Sequence, residues 1–446
     1  MMNDDPTVLL TAQGRELLAR LAAEPDSGGL ALAVRLRREY PADLVATATA
    51  QHELRLAARA KFSRAADMLF TRSGYEQSSS EPIARYRAER FGHARRVADL
   101  CCGIGGDLLA LAPGRAALAV DRDEVHARLA LHNAAVYGET NNVRALVADV
   151  RDLSLAGLDA VFIDPARRSG PGTASAGSGP AARSDAASAR AGTASASRGG
   201  SPSGAAQRFR AGLSEPPLDW CFALADRVPA VCVKAAPGLP LDLLPEGWEA
   251  EFIADGRDLK EAVLWSPALA TAPPAGSDGP RRATVMSGTG PRTLLAYPGD
   301  PVPVTEPGEY LLDPNPAVTR AGLVEDLARA LAAGAGPDDV AAKIDPRIAF
   351  LTLNWPAQTP FARTLRVLDS APWNEKRFAK RLRELGIGAA DIRRRGLAGD
   401  VDQIHRRLKL AGPNRGTIVI TRVNDRPWGL ICTDPVGAAD SNLPGA

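Results

Sequence analysis

The chain reads as an α/β protein with a doubly wound, largely parallel sheet, a helical N-terminal region before it and a small basic α+β domain after it. Three observations predict this. Short apolar runs alternate with helical patterns through the middle of the chain, the signature of a parallel sheet. The first run breaks into a glycine-rich turn, Cys101-Cys102-Gly103-Ile104-Gly105-Gly106, with a helix opening at about Asp107. The next runs each lead to a carboxylate, at Asp121, Asp149 and Asp164.

Taken in order, residues 1–95 are helical and Arg-rich. Leu9, Leu17, Leu18 and Leu21 form one apolar stripe, and Leu54, Leu56, Ala57 and Ala60 another. A further helix starts after Ser79-Ser80, with Glu81 and Pro82 in its first turn, and carries Ile83, Tyr86 and Phe91 toward the first strand. That strand ends at Leu100, just past Asp99. In the turn that follows, Gly103 and Gly105 let a ligand touch bare backbone, and the next helix aims its free N–H groups at it. Ala116 to Val120 is the second strand, and Asp121 at its tip sits where a ribose would present its hydroxyls. A helix over Glu124 to Tyr137 leads to Val143–Val147, and Leu158–Ile163 runs into Asp164-Pro165-Ala166-Arg167-Arg168. Ligands of such sheets bind beyond the carboxyl ends of the strands, where Asp99, Asp121, Asp149 and Asp164 fall or nearly fall. Ala230 to Lys234 is the fifth strand, with Lys234 at its tip, and Gly256 to Trp265 enters another strand at Glu261.

A nicotinamide-dinucleotide site is the other reading of this pattern, but it needs a third glycine that Gly103-Ile104-Gly105-Gly106-Asp107 lacks at its place. On "DLCCGIGGD", "AVDRDEVHARLALHNAAVYG", "ALVADV" and "VFIDPARR", residues 97–168 resemble the Rossmann-like core of class I S-adenosylmethionine-dependent methyltransferases. Within them the segment is most similar to the trimethylguanosine synthase group, which methylates guanine N2 of RNA caps. The resemblance implies S-adenosylmethionine as cofactor, with Gly103 and Gly105 near its methionine part, Asp121 on its ribose and Asp149 on its adenine amine. Asp99, Cys101 and Asp107 would complete that cofactor set, and Asp164 would mark the methyl-acceptor site. In that group "SSEPIARYRAERF" has a counterpart that closes over the cofactor; plain helical packing is the alternative.

One departure stands out. The group carries Pro-Pro and an aromatic after its acidic residue, where this chain has Pro165, Ala166 and Arg167. A guanidinium can stack on a base or hold a phosphate, without being an equivalent clamp. Asp164, Lys234 and Glu261 also resemble three of the four Lys-Asp-Lys-Glu residues of ribose 2′-O-methyltransferases. No fourth member is found, since Lys61 is the sole lysine before the turn and its context differs; an ordinary strand-end lysine is the other reading of Lys234. Base and ribose acceptors both stay open. Pyrimidine C5 chemistry needs an accessible thiolate, whereas these cysteines read as small buried apolar groups.

The chain has 446 residues, 45% of them hydrophobic, and a net charge of +2, enough for two or three cores. Five scattered cysteines without a CxxC pair argue for a reducing cytoplasm and against structural zinc, so no metal is expected. No apolar run reaches membrane-spanning length and no signal-peptide pattern opens the chain, so a soluble cytoplasmic protein without membrane partners is expected. Residues 169–205 consist almost wholly of Ser, Gly, Ala, Pro, Arg and Thr and read as a disordered insertion at the mouth of the acceptor site.

After Pro273 come short strands at Arg282–Met286 and Thr293–Tyr297, then Tyr310–Leu312 and a helix over Val318–Ala333. From Phe361 the order is strand (Ala362–Leu368), helix (Glu375–Leu385), strand (Ala390–Arg394), helix (Asp400–Leu410) and a hairpin, Thr417–Val423 and Trp428–Thr433, turning at Asn424-Asp425. Asp400 with Gln403 makes a capping box. Trp373 to Arg426 holds 14 Lys and Arg against 6 Asp and Glu, a surplus of 8. A basic module beside a catalytic domain is the footprint of phosphate binding, although a solvated helix face is the plainer account of such a run. On "KRFAKRLRELGIGAADIRRRG" and "IHRRLKLAGPNRGTIVITRV", this ferredoxin-like stretch resembles the THUMP-like domains that accompany RNA-modifying enzymes.

The expected organisation is a helical region (1–95), a methyltransferase domain (96–272), a connecting region (273–360), a THUMP-like domain (361–435) and a disordered tail (436–446). The expected function is methylation of structured RNA from S-adenosylmethionine. Asp164, Pro165, Arg167, Lys234 and Glu261 are the catalytic candidates, and Arg381, Arg393, Arg394, Arg395, Arg406 and Lys409 the RNA-binding ones. A small-molecule or protein methyltransferase and a non-catalytic RNA-binding protein are the alternatives.

Overall fold

The computed structural model describes residues 5–23, 30–167, 214–273, 275, 279–336, 339–397 and 400–434. Arg168, the expected insertion at 169–205 and the expected tail from 436 lie outside the described residues. The chain forms two units. The first takes the described parts of Met1–Gly172, Pro202–Glu249 and Val263–Thr271, and the second those of Ala250–Ala262 and Ala272–Ala446.

The first unit opens with helices α1 (Ala12–Ala23), α2 (Leu30–Leu36), α3 (Ala42–Ala58), α4 (Arg72–Gln77) and α5 (Glu81–Glu89). Leu9, Leu17, Leu18 and Leu21 are buried as their spacing predicts. The second stripe differs from the expectation. The buried face of α3 is Leu44, Val45, Ala48, Gln51, Leu54 and Ala58, while Leu56 is 44% exposed. At about 100° per residue Leu56 points nearly opposite Leu54, and Ala60 lies past the helix end.

Then follow β1 (Arg96–Leu100), α6 (Leu108–Leu111), β2 (Ala116–Asp121), α7 (Glu124–Val136), β3 (Val143–Val147), β4 (Ala160–Ile163), β5 (Ala166–Arg167), β6 (Ser214–Glu215), α8 (Leu218–Ala223) and β7 (Ala230–Ala235). β7, β4, β1, β2 and β3 lie side by side in that order, all parallel. All four residues of β4 are buried, as suits a central strand covered on both faces. β5 and β6 make an antiparallel two-stranded ribbon, with Ala166 opposite Glu215 and Arg167 opposite Ser214.

In the second unit β8 (Glu249–Asp255) and β9 (Asp258–Trp265) precede β10 (Arg281–Met286) and β11 (Arg292–Leu295); Glu249 of β8 and the residues of β9 from Val263 count with the first unit. β10 pairs with β8 in parallel and with β11 antiparallel. There follow β12 (Tyr310–Pro314), α9 (Pro316–Ala321), α10 (Val324–Ala333), β13 (Ala342–Lys343), β14 (Leu351–Leu353), β15 (Ala362–Pro372), α11 (Glu375–Glu384), β16 (Ile387–Arg394), α12 (Val401–Leu408), β17 (Asn414–Val423) and β18 (Arg426–Thr433). The helix expected over Val318–Ala333 is two helices, because Gly322 at φ +70° takes the left-handed backbone that ends α9. A seven-stranded sheet runs β13-β14-β12-β15-β18-β17-β16. A boundary at 361 therefore cuts one sheet, since β12 to β14 of the expected connecting region belong to it.

Alternation along these strands builds two cores. On β17, Ile418 and Ile420 join Phe378, Leu382 and Leu408, residues of α11 and α12, whereas Val419 and Val423 join Phe350 and Leu365 on the other side. Asn424 and Asp425 turn the hairpin with φ of +47° and +64°, the two left-handed residues that a tight turn demands. Phe378 is 1% exposed, so Phe378→Ala should cost about 3–5 kcal/mol, read as a lowered denaturant midpoint of the second unit.

Candidate active site

The parallel register sets Asp99 of β1 level with Ala119 of β2 and Phe162 of β4, beneath the glycine turn. The turn begins at Cys101, a non-glycine residue at φ +61°, and continues through Gly103 at +52° and Gly105 at +83°. A Cβ on Gly103 would point into open space, while one on Gly105 would meet Ala130 at 3.0 Å. Gly103 therefore leaves room at the mouth of the sheet, and Gly105 lets α7 pack close.

Four carboxylates of this unit gather round the turn, and three have partners. Asp121 accepts hydrogen bonds from the N–H groups of Gly103 (2.8 Å) and Asp123 (3.0 Å), with His126 Nδ1 at 3.8 Å. Burial pushes its carboxyl up, but His126 and these N–H groups outweigh that and hold it below the usual range. Asp107 is paired with Arg87 of α5, a buried guanidinium that also donates to Ser79 Oγ at 2.9 Å and lies over the Phe162 ring. Asp164 Oδ2 accepts from Lys234 Nζ at 2.6 Å, and this lysine also reaches the Gln77 carbonyl at 3.5 Å.

Asp99 differs from all three. It is 1% exposed, and among the described residues neither of its oxygens has a hydrogen-bond partner. Burial drives its carboxyl well above the ordinary value, and the nearby carboxylates of Asp107, Asp164 and Asp121 add to that. Burial likewise raises the Cys101 thiol, which leaves it a poor nucleophile.

The other expected residues are less free. Both oxygens of Asp149 are held by Arg151, through Nε at 2.9 Å and Nη2 at 2.6 Å, which lowers its carboxyl to about 2. Pro165 is buried, and Arg167 lies in β5. Glu261 is buried on β9, among residues of the second unit. Lys61 donates to the carbonyls of Tyr75 and Ser78, at 2.7 and 2.9 Å, and so shapes the end of α4.

Two groups escaped the sequence reading. Asn133, wholly buried on α7, donates from Nδ2 to the carbonyls of Leu69 (3.0 Å) and Ile104 (2.9 Å) and accepts from the Leu69 N–H. It ties the helical region to the glycine turn. Arg87 does the same through Asp107. A buried position inside an otherwise apolar helical stripe was the signal for Asn133; Arg87 gave none among so many arginines.

The basic residues of the second unit fall into two groups. Arg406 and Lys409 are exposed at the end of α12, and Arg381 of α11 makes surface pairs with Asp369 (3.3 Å) and Glu384 (3.1 Å). Arg393 and Arg395, two of the expected RNA-binding residues, pair with the buried Asp313, and Arg394 donates to the Leu397 carbonyl at 2.7 Å.

Family models match three segments: a domain of unknown function at residues 4–58, an RNA cap guanine-N2 methyltransferase at 94–172 and a THUMP domain-like module at 362–434. Uncharacterized S-adenosylmethionine-dependent methyltransferases of two Mycobacterium tuberculosis strains, CDC 1551 / Oshkosh and ATCC 25618 / H37Rv, are each 32% identical over 364 residues. These matches cover 80% of this chain and 85% of each relative. A crystal structure from Porphyromonas gingivalis W83, described as that of a methyltransferase, shares the fold at a TM-score of 0.68, with 17% identity over 98% of this chain and 99% of its own. Among the described residues no helix is long and apolar enough to cross a membrane, and no three His, Cys, Asp or Glu side chains form a metal-ligating group.

The Asp121–His126 pair carries a pH signature. Asp121 raises the His126 imidazole above its usual 6.5, so its stabilisation is whole below that value and fades as pH climbs through the folded value. The depressed Asp121 carboxyl works oppositely, losing its share as pH falls toward the acid range. His126→Asn should therefore lower Tm by roughly 1–3 °C near about pH 5.5 and by less near about pH 8, measured by thermal melts at both.

Proposed function

The chain belongs to the S-adenosylmethionine-dependent methyltransferases, and from that premise we propose that it methylates a base nitrogen of structured RNA at an acceptor site beside Asp164. The pocket fits the cofactor on two observations. A buried carboxylate without a hydrogen-bond partner among the described residues, Asp99, suits an ammonium group, and the open space at Gly103 leaves the backbone bare for a ligand. Bound there, S-adenosylmethionine supplies an activated methyl group, so the chain's own task is to bind, orient and manage a proton. In this reading Asp121 holds the ribose hydroxyls, and Gly103, Gly105 and the Cys101 backbone shape the wall of the pocket. Asp107, already paired with Arg87, positions the turn. Asp149 would accept the adenine amine as a donor additional to Arg151.

The observation that carries the choice of acceptor is the Asp164–Lys234 pair at 2.6 Å. A ribose hydroxyl must lose its proton to a strong base as it attacks; a carboxylate held by an ammonium is a poor one, and that ammonium, Lys234, has no free electron pair to offer. Asp164 keeps Oδ1 without a hydrogen bond among the described residues, and its side chain is 33% exposed. That oxygen suits the N–H of a base nitrogen, aligning its lone pair and taking the proton as the new bond forms. Lys234 then fixes the carboxylate rather than acting as a base. The RNA side rests on the two family resemblances and on the basic surface of α11 and α12, where Arg381, Arg406 and Lys409 stand ready for phosphates.

Two substitutions test the pocket. Asp164→Asn should cut turnover about 100- to 10,000-fold while calorimetry finds donor affinity within a few-fold of wild type; an active variant would remove Asp164 from the acceptor site. Asp121→Ala should weaken donor binding about 10- to 100-fold. The deciding experiment compares modified nucleosides, by mass spectrometry, in RNA from cells with and without the protein. An N-methylated base that vanishes with the protein is expected; a lost 2′-O-methyl nucleoside, or no change in RNA, would overturn the reading.

A further inference from the structure

Asp313 of β12 is 1% exposed, and three guanidiniums of the second unit close on it. Arg257 Nη2 and Arg393 Nη1 each donate to Oδ2 at 2.9 Å, and Arg395 Nη2 stands 2.9 Å from Oδ1. They come from distant stretches of chain: the turn between β8 and β9, the end of β16 and the residue just past it. Residues 393 and 395 stand two apart where extended backbone leaves β16, so both reach Asp313 while Arg394 donates to the Leu397 carbonyl. Phe350 lies beneath Arg395 with its centroid 4.7 Å from the guanidinium carbon, and the Ala349 carbonyl accepts from Nη1 at 3.3 Å.

One carboxylate satisfies one bidentate guanidinium. Here three share it, and among the described residues no second carboxylate pairs with any of them. The cluster is left with two positive charges in excess. Burial lowers the Arg257 guanidinium, and the Arg393, Arg363 and Arg395 charges oppose it further, against the pull of Asp313. Each side chain is still 31–36% exposed, so the like charges are packed together at a surface. A clasp built only to bury Asp313 would be neutral; this arrangement carries surplus positive charge that a second anion would offset.

We propose that Arg257, Arg393 and Arg395, held in register by Asp313, bind a phosphate of the RNA phosphodiester backbone. The proposal rests on the RNA-methylating reading and adds to it a defined phosphate site with Arg257 as a member. Guanidiniums suit this task because their planar forks match phosphate oxygens in pairs. A single RNA phosphate and free inorganic phosphate present the same oxygens, so the test separates them.

The full-length chain is titrated with total structured RNA at a series of salt concentrations, as wild type, Arg257→Gln, Arg395→Gln and, as a charge-matched control on the exposed face of α7, Arg128→Gln. The two cluster variants should each bind about 5- to 10-fold more weakly and flatten the log K against log salt slope by roughly 0.7–0.9, with the control unchanged. Arg257→Lys keeps the charge beside Asp313 but loses the fork, and should fall between wild type and Arg257→Gln. Melting curves accompany every variant; if Arg257→Gln fails to fold, the Arg257→Lys and Arg395→Gln titrations decide. Unaltered RNA affinity and slope in folded cluster variants would overturn the proposal. Calorimetry with inorganic phosphate separates the sources: phosphate that binds as tightly as RNA, without displacing it, overturns the RNA assignment. If wild type binds no RNA but takes up phosphate in a way Arg257→Gln abolishes, the anion site stands and the RNA reading falls.

Discussion

Like charge crowded at a glycine turn is the constraint on which the rest of the first unit depends. Four carboxylates lie at and near the ends of parallel strands, and three of them, Asp107, Asp164 and Asp121, stand close enough to oppose the ionisation of the buried Asp99. The fold compensates three of them with dedicated cations or N–H groups: Arg87 for Asp107, Lys234 for Asp164, and His126 with two backbone amides for Asp121. Among the described residues, Asp99 alone of the four is left without a hydrogen-bond partner. A group carrying positive charge, placed over Gly103, would complete the set, which is the requirement that a sulfonium cofactor with an ammonium group meets.

Buried polar contacts also tie the N-terminal helices to the glycine turn. Arg87 on α5 is bound to the turn through Asp107, and Asn133 on α7 ties Leu69 to Ile104. Removing either partner of such a buried pair strands an unsatisfied group, a larger loss than the pair's own net gain. The helical region is therefore bonded to the pocket it precedes, at points set well apart in sequence.

The second unit repeats the theme with the sign reversed. Asp313 gathers positive charge as the glycine turn gathers negative charge, and in each case an imbalance remains once the internal partners are counted. Surface pairs such as Arg381 with Glu384 contribute little and release their charge readily. The Asp313 cluster is different, since a buried carboxylate fixes where the guanidiniums stand.

Local rules settled much of this in advance. The alternation of apolar runs with helices, the glycines at 103 and 105, the Asn424-Asp425 turn and the carboxylates at strand ends all report on neighbours a few residues away, where spacing and backbone freedom suffice. The break at Gly322 and the buried face of α3 follow from the same local rules, through glycine's left-handed backbone and the 100° step of a helix. Long-range partnership was not legible. That Arg87 serves Asp107, that Arg151 occupies Asp149, that Lys234 meets Asp164, and that Arg257 joins Arg393 and Arg395 on Asp313 are choices among 54 basic residues in this chain. Sequence spacing carries no record of which guanidinium reaches which carboxylate; burial and strand register decide it, because only the folded chain fixes which charges lose their water together.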